Sequence, residues 1–333
     1  MGNPVLVEVT RGALTESRHQ GAVCVADAAG TAVMAIGDVA APFYPRSAVK
    51  AMQALVLVES GAADRFRLGD AELALTCASH AGEPDHVAGV ERMLARAGLD
   101  VGALQCGTHW PTHRPSAEAL VRAGLSPSPL HHNCSGKHAG FLCAACAGGS
   151  DPRTYTAPNH MIQREVRAIL ENLSGSTIDD QNVGIDGCSV PTFALPLAAL
   201  ARAFAVFAGG QGLGPGRAAA ARRLRDACAA KPWYVAGTGL FATEIMSHFG
   251  PRVFVKGGAE GVYCGALPEQ GLGIAIKCDD GAGRAAEVLM ANVLMRLIGG
   301  DGLLAKYARP QVRNWRGTVV GEMRPTEKLL AQR

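Results

Sequence analysis

The placement of its strand-like segments limits this chain more than any other feature. Val-rich runs of alternating character lie at both ends. VLVEVTRG and GAVCVADAAGTAVMAIGD, the latter turning at Asp27 to Gly30, read as three strands near the N-terminus. RVFVKGG, GVYCGAL and LGIAIKCDDG give three more towards the C-terminus, and GTVVGEM is a seventh candidate. Between them, apolar residues recur at spacings of three and four with Gly or Pro punctuation: SAVKAMQALVLVES, EPDHVAGVERMLARAG, SAEALVRAG, PNHMIQREVRAILENL, FALPLAALARAFAVFA and GRAAAARRLRDACAA. A further helical pattern, GAGRAAEVLMANVLMRLIG, follows the late strands. The predicted fold class is therefore α/β (α+β). One largely antiparallel sheet is built from both chain ends and flanked by helices, with a mostly helical middle inserted. The expected division is one unit over 1–333, with a sheet layer from about 1–60 and 250–333 and a helical region over about 61–249. The loop GGQGLGPG, Gly209 to Gly216, connects two helices.

Of the 333 residues, 48% are apolar, enough for a sizeable core. A net charge of +3 with scattered basic residues argues against a nucleic-acid partner. No apolar run approaches the roughly 20 residues that span a bilayer, so no membrane partner is expected, and the start MGNPVLVEVTRG lacks the pattern of a secretion signal. The expectation is a cytoplasmic protein whose ten cysteines stay reduced. Only seven of the 32 cations are lysines, at positions 50, 137, 231, 256, 277, 306 and 328. Lysine is the cation that burial converts most readily into a neutral base or ligand.

Two of these lysines stand in patterns that can carry chemistry. In YPRSAVKAMQAL, Ser47 and Lys50 are three residues apart, within reach of one another on a helix. A lysine whose pKa is lowered by burial can take the proton of a serine hydroxyl and so activate it as a nucleophile. The ordinary alternative is a helix cap, Ser47, followed by a surface lysine. In ALTCASHAGEPDH, Ser79 stands at a helix end among small residues, and in VFVKGGAEG, Lys256 ends a strand before glycines that leave room for a ligand. Ser-x-x-Lys, a second serine on a loop and Lys-x-Gly on a strand form the grouping of serine β-lactamases and penicillin-binding proteins. Here Lys256-Gly257-Gly258 lacks the Ser or Thr of Lys-Thr-Gly, and there is no Ser-Asp-Asn.

HHNCSGKHAGF and GIDGCSVPTF gather metal-ligand types. Cys134 and His138 have the i, i+4 spacing of two zinc ligands on one helical face, and Cys188 could complete the set. Cys143-x-x-Cys146 lies in an apolar segment without a partner pair and reads as core packing.

Taken in order, PRSAVKAMQAL, TCASHAGEPDH, NCSGKHAGFL, IDGCSVPTFALPL and KGGAEGV resemble the asparaginase II family, the rhizobial-type or class 3 L-asparaginases, over most of the chain. The resemblance implies a serine β-lactamase and glutaminase-like fold, a homodimer, and hydrolysis of L-asparagine to L-aspartate and ammonia by one catalytic unit. It places the paired Ser-Lys groups on Ser47 with Lys50 and on Ser79 with Lys256. It places a zinc site on Cys134, Lys137 and Cys188, so His138 yields to Lys137. The expected mechanism is attack by Ser47 with Lys50 as base, Ser79 and Lys256 relaying protons through an acyl-enzyme. Arg46 is expected to hold the substrate carboxylate and Asp186 its ammonium group. Zinc is expected to shape the pocket rather than to generate hydroxide. The alternatives are a β-lactamase or glutaminase-like hydrolase of another amide, and a non-catalytic zinc-dependent amino-acid sensor.

Overall fold

The computed structural model describes residues 2–331. Its main sheet has eight strands. Seven run in the order Gln311–Arg313, Val319–Pro325, Val5–Arg11, Leu14–Asp27, Leu272–Cys278, Val262–Leu267 and Phe254–Gly257, and Ala32–Ile36 also pairs with Leu14–Asp27. Every pairing in it is antiparallel. The strands Val5–Arg11 and Leu14–Asp27 lie between those from the C-terminal end, and Leu14–Asp27 takes Val5–Arg11 along its first half and Leu272–Cys278 along its second.

Helix Leu197–Gly209 covers one face of this sheet. Its backbone lies so close to strand Leu272–Cys278 that a Cβ at Gly273 would stand 2.0 Å from the Ala201 carbonyl oxygen. Gly265, opposite Ile274, faces the other way, towards Met290 of helix Gly283–Ile298. With both faces covered, Val262–Leu267 is buried along its whole length. That explains why GVYCGAL is a near-continuous apolar run.

The first half of Leu14–Asp27, LTESRHQ, shows no apolar alternation and lies outside the predicted strands. It is held by backbone pairing to Val5–Arg11 while most of its side chains stay partly or fully exposed. The predicted helix SAVKAMQALVLVES, within the expected sheet layer, is instead a 3₁₀ turn, Arg46–Val49, and two short helices, Lys50–Gln53 and Leu55–Glu59. FALPLAALARAFAVFA becomes helical only at Leu197, because Pro196 precedes it in extended conformation. Helices outside the expected set include Asp70–Thr76, Ser135–Gly148, Phe241–Phe249 and Gly302–Ala308. Ser135 to Ala145 is buried on every side, so that stretch carries no amphipathic period to read.

Candidate active site

The site forms where four separate segments meet: the Arg46–Val49 turn, the loop after helix Asp70–Thr76, the start of helix Ser135–Gly148 and the end of strand Phe254–Gly257. Its centre is Ser79. Lys50 Nζ donates to the Ser79 hydroxyl oxygen at 3.0 Å, to the Ala78 carbonyl at 2.6 Å and to the Asn133 carbonyl at 3.5 Å. Three acceptors around one amine suit the ammonium form. Lys256 Nζ lies 2.8 Å from the same Ser79 oxygen and donates to the Gly257 carbonyl at 2.8 Å. Burial, followed by the charge of Lys50, holds the Lys256 ammonium well below the usual lysine range. The shift favours the neutral amine, whose lone pair would be open to the Ser79 proton, while Lys50 holds the oxygen from the other side.

The capping alternative for Ser47 fails on geometry. Ser47 is the second residue of the Arg46–Val49 turn, that turn has no side-chain cap, and Lys50 is fully buried rather than on the surface. Nor does the Lys50 amine bond the Ser47 hydroxyl, its expected partner: the hydrogen bonds of Nζ go to Ser79 and two carbonyls. Ser47 and Ser79 nevertheless line one cavity of about 350 Å³, together with Lys256 and Asn133. Arg46 is in the left-handed region at φ 52, uncommon for a residue with a Cβ. Gly258 lets the strand end come up to this turn, since a Cβ there would stand 2.5 Å from the Pro45 carbonyl oxygen.

Arg46 and Asp186 meet each other. The Arg46 guanidinium donates to the Asp186 carboxylate, and neither residue lines the cavity that holds the two serines. Asp186 also accepts from the Cys188 thiol at 3.3 Å. The hairpin Val183–Ile185 and Pro191–Phe193 carries both residues in its turn.

Lys137 Nζ lies 2.9 Å from Cys188 Sγ, and Cys134 Sγ lies 3.2 Å from Asn133 Oδ1. A hydrogen bond from the Cys188 thiol holds Cys134 well below the usual thiol range, with the Lys50 and Lys137 charges acting in the same direction. Burial alone would lower Lys137, but the sulfurs of Cys188 and Cys134 beside it, the hydrogen bond to Cys188 and the Asp186 charge outweigh it and raise the lysine. Cys134, Lys137 and Cys188 are thus brought together. Among the described residues no group of three His, Cys, Asp or Glu is placed to hold a metal, so any ion here needs the lysine as its third protein donor. Two sulfurs and one amine fit zinc with a fourth position open. His138, the fallback ligand, bonds Tyr155 Oη at 2.6 Å through Nδ1 and has no partner for Nε2.

Sequence reading missed two cavity residues. Asn133 stands inside a quoted motif but was given no role, although its carbonyl meets Lys50 and its side chain meets Cys134. Glu287, in helix Gly283–Ile298, carries no local signal, being one acid in an amphipathic stretch. All ten cysteines are free, and Cys143 and Cys146 show the expected packing role, Cys143 buried and Cys146 partly so.

The family described as L-asparaginase II matches residues 7–325. No curated protein matches the chain. Among solved structures, Mglu in its native form is similar at 16% identity, over 90% of this chain and 70% of its own, with a TM-score of 0.47. A β-lactamase from Mycobacterium bovis is similar at 15% identity, over 83% of this chain and 94% of its own, with a TM-score of 0.38.

Proposed function

The chain belongs to the L-asparaginase II family, which makes it an amidohydrolase, and from that premise we propose that it hydrolyses L-asparagine to L-aspartate and ammonia through an acyl-enzyme. One observation carries the Ser-Lys reading. The Ser79 hydroxyl lies between Lys50 and Lys256 in a cavity that also exposes Ser47.

Ser79 is engaged by two amines and is suited to passing protons on. The Ser47 hydroxyl makes no hydrogen bond among the described residues and Ser47 lines the same cavity, so it is the hydroxyl free to attack. Ser47 adds to the side-chain amide carbon, and its proton passes through the Ser79 hydroxyl to neutral Lys256. The Lys50 ammonium holds Ser79 in line and places positive charge beside the developing oxyanion. Lys256 then returns the proton to the amide nitrogen as ammonia leaves. Water attacks the resulting ester with Lys256 again as base, and the ester oxygen of Ser47 recovers a proton as aspartate departs. One neutral lysine balances both halves of the reaction.

Zinc on Cys134, Lys137 and Cys188 belongs to the same proposal. When bound it would supply Lewis-acid charge beside the cavity. Both cysteines would bind it as thiolates, so the hydrogen bonds that the Cys134 and Cys188 thiols donate to Asn133 and Asp186 would be given up with those protons. A homodimer and a cytoplasmic location also belong to this reading, and sedimentation of the purified chain tests the first.

The deciding experiment measures ammonia release from L-asparagine, L-glutamine and β-aspartyl peptides, with mass analysis of the trapped ester. Asparagine turnover with the label on Ser47 is the expected result. A label on Ser79 would exchange the roles of the two serines. Absence of asparagine turnover together with fast penicillin hydrolysis would overturn the substrate.

A further inference from the structure

We propose that Glu287 receives the ammonium group of the amide substrate and so sets the preference for amides of amino acids. The inference rests on the amidohydrolase reading and deepens it. A substrate such as asparagine brings one carboxylate and one ammonium into the cavity with its amide, and each needs a partner there. Arg46 and Asp186 are not free for this, since they neutralise one another outside the cavity wall. Of the lysines, arginines and acids, two line the cavity, Lys256 and Glu287. Lys256 is committed to Ser79 and the Gly257 carbonyl. The Glu287 carboxyl group makes no hydrogen bond or ion pair among the described residues.

The surroundings of Glu287 favour a cationic visitor. Much of the wall near it is apolar, with Phe241, Val262 and Tyr263 among its residues. Burial pushes the Glu287 carboxyl up to about 7, because no neighbouring cation offsets the lost water. The Tyr263 phenol in turn is raised well above its usual range, first by burial and then by the charge of Glu287. A carboxylate in that position is stabilised by whatever brings a positive charge to it. The α-ammonium of the substrate is the positive group that every turnover delivers. Glu287 is fixed by the rigid helix Gly283–Ile298, whose Gly283 lines the same cavity. An ammonium held there fixes the orientation of the amide at the serines.

The test compares kcat/KM for L-asparagine with that for succinamic acid, which has the same skeleton without the amino group. Each is measured on the full chain and on its Glu287→Gln variant. The wild type is expected to prefer asparagine, and the variant to lose that preference by about 10- to 100-fold, mainly through KM, as expected for one charge-assisted hydrogen bond. Glu287→Asp should recover part of it. The ratio is internal to each enzyme, so partial unfolding scales both rates and leaves it unchanged. A preference that survives Glu287→Gln, or an equal fall in both rates, overturns the inference while the amidohydrolase reading stands. A wild type that releases ammonia from neither compound removes both.

Discussion

At the scale of single residues the site depends on the proton state of one lysine. Lys256 shares its surroundings with a second amine, and burial and that neighbour's charge hold it well below the usual lysine range. Its protonation at low pH removes the base, so kcat/KM for asparagine should rise with pH through a value below the ordinary lysine pKa and then level off. A pH profile without an acid limb would exclude Lys256 as the base. Lys256→Arg keeps a cation of similar reach but cannot become neutral. It should lower kcat, per folded molecule, by about 10²- to 10⁴-fold, and also lower the unfolding midpoint because a permanent charge is then buried beside Lys50. Ser47→Ala should abolish ammonia release by at least about 10³-fold, the scale on which losing a serine nucleophile operates. The four hydroxyl and amine groups were legible in the sequence because they stand in spaced motifs. Their connections were not, since the i, i+3 spacing pairs Lys50 with Ser47 and the folded chain gives it to Ser79.

At the scale of elements the site is held by two close approaches. Gly136 lies where helix Ser135–Gly148 crosses helix Asp70–Thr76, and a Cβ there would stand 2.2 Å from the Leu75 carbonyl oxygen. Leu75 is backbone within a helix and cannot swing aside. Gly136→Ala should destabilise the protein by about 1–3 kcal/mol or more in denaturant unfolding, as overpacking does. It should also shift Cys134 and Lys137 against Cys188, because the first two stand at the start of that helix and Cys188 is carried by the separate hairpin. Gly258→Ala drives the end of strand Phe254–Gly257 away from the Ser47 turn. Activity should fall further than stability does, since Lys256 and Ser47 sit on the two sides of that contact. An activity loss no greater than the population unfolded would show that the contact is merely structural. Helices with one wet face were readable from their period. Ser135–Gly148 was not, because a helix buried all round offers no contrast between faces.

At the scale of the molecule, the proposed zinc and the buried lysine each leave a mark on global stability. Purified protein should contain about one zinc per chain, and Cys134→Ala or Cys188→Ala should contain none by elemental analysis. Zinc that binds only the folded chain raises the unfolding midpoint, so chelation should lower it in the wild type and leave the cysteine variants unmoved. For Lys256 the sign is fixed by linkage. The folded chain releases this proton at a lower pH than the unfolded chain, which keeps it up to about 10.4. Between those values the unfolded state binds more protons, so stability from this group rises with pH. Lys256→Met, similar in bulk and without a charge, should show a smaller rise than wild type over that window. Equal slopes would mean that Lys256 is not desolvated.

The sequence by itself determined that strands from both ends share one antiparallel sheet, which residue types carry the chemistry, and which family they belong to. Those properties reside in local period and in motifs that each occupy a few consecutive residues. Tertiary structure alone decided that Lys50 and Lys256 share one serine and that Arg46 and Asp186 neutralise each other. It alone placed Glu287 on the same wall as Ser47, 240 positions away. Hydrogen bonds and charge pairs act over a few ångströms in space, and only the packing of helices on the sheet brings those groups within that range.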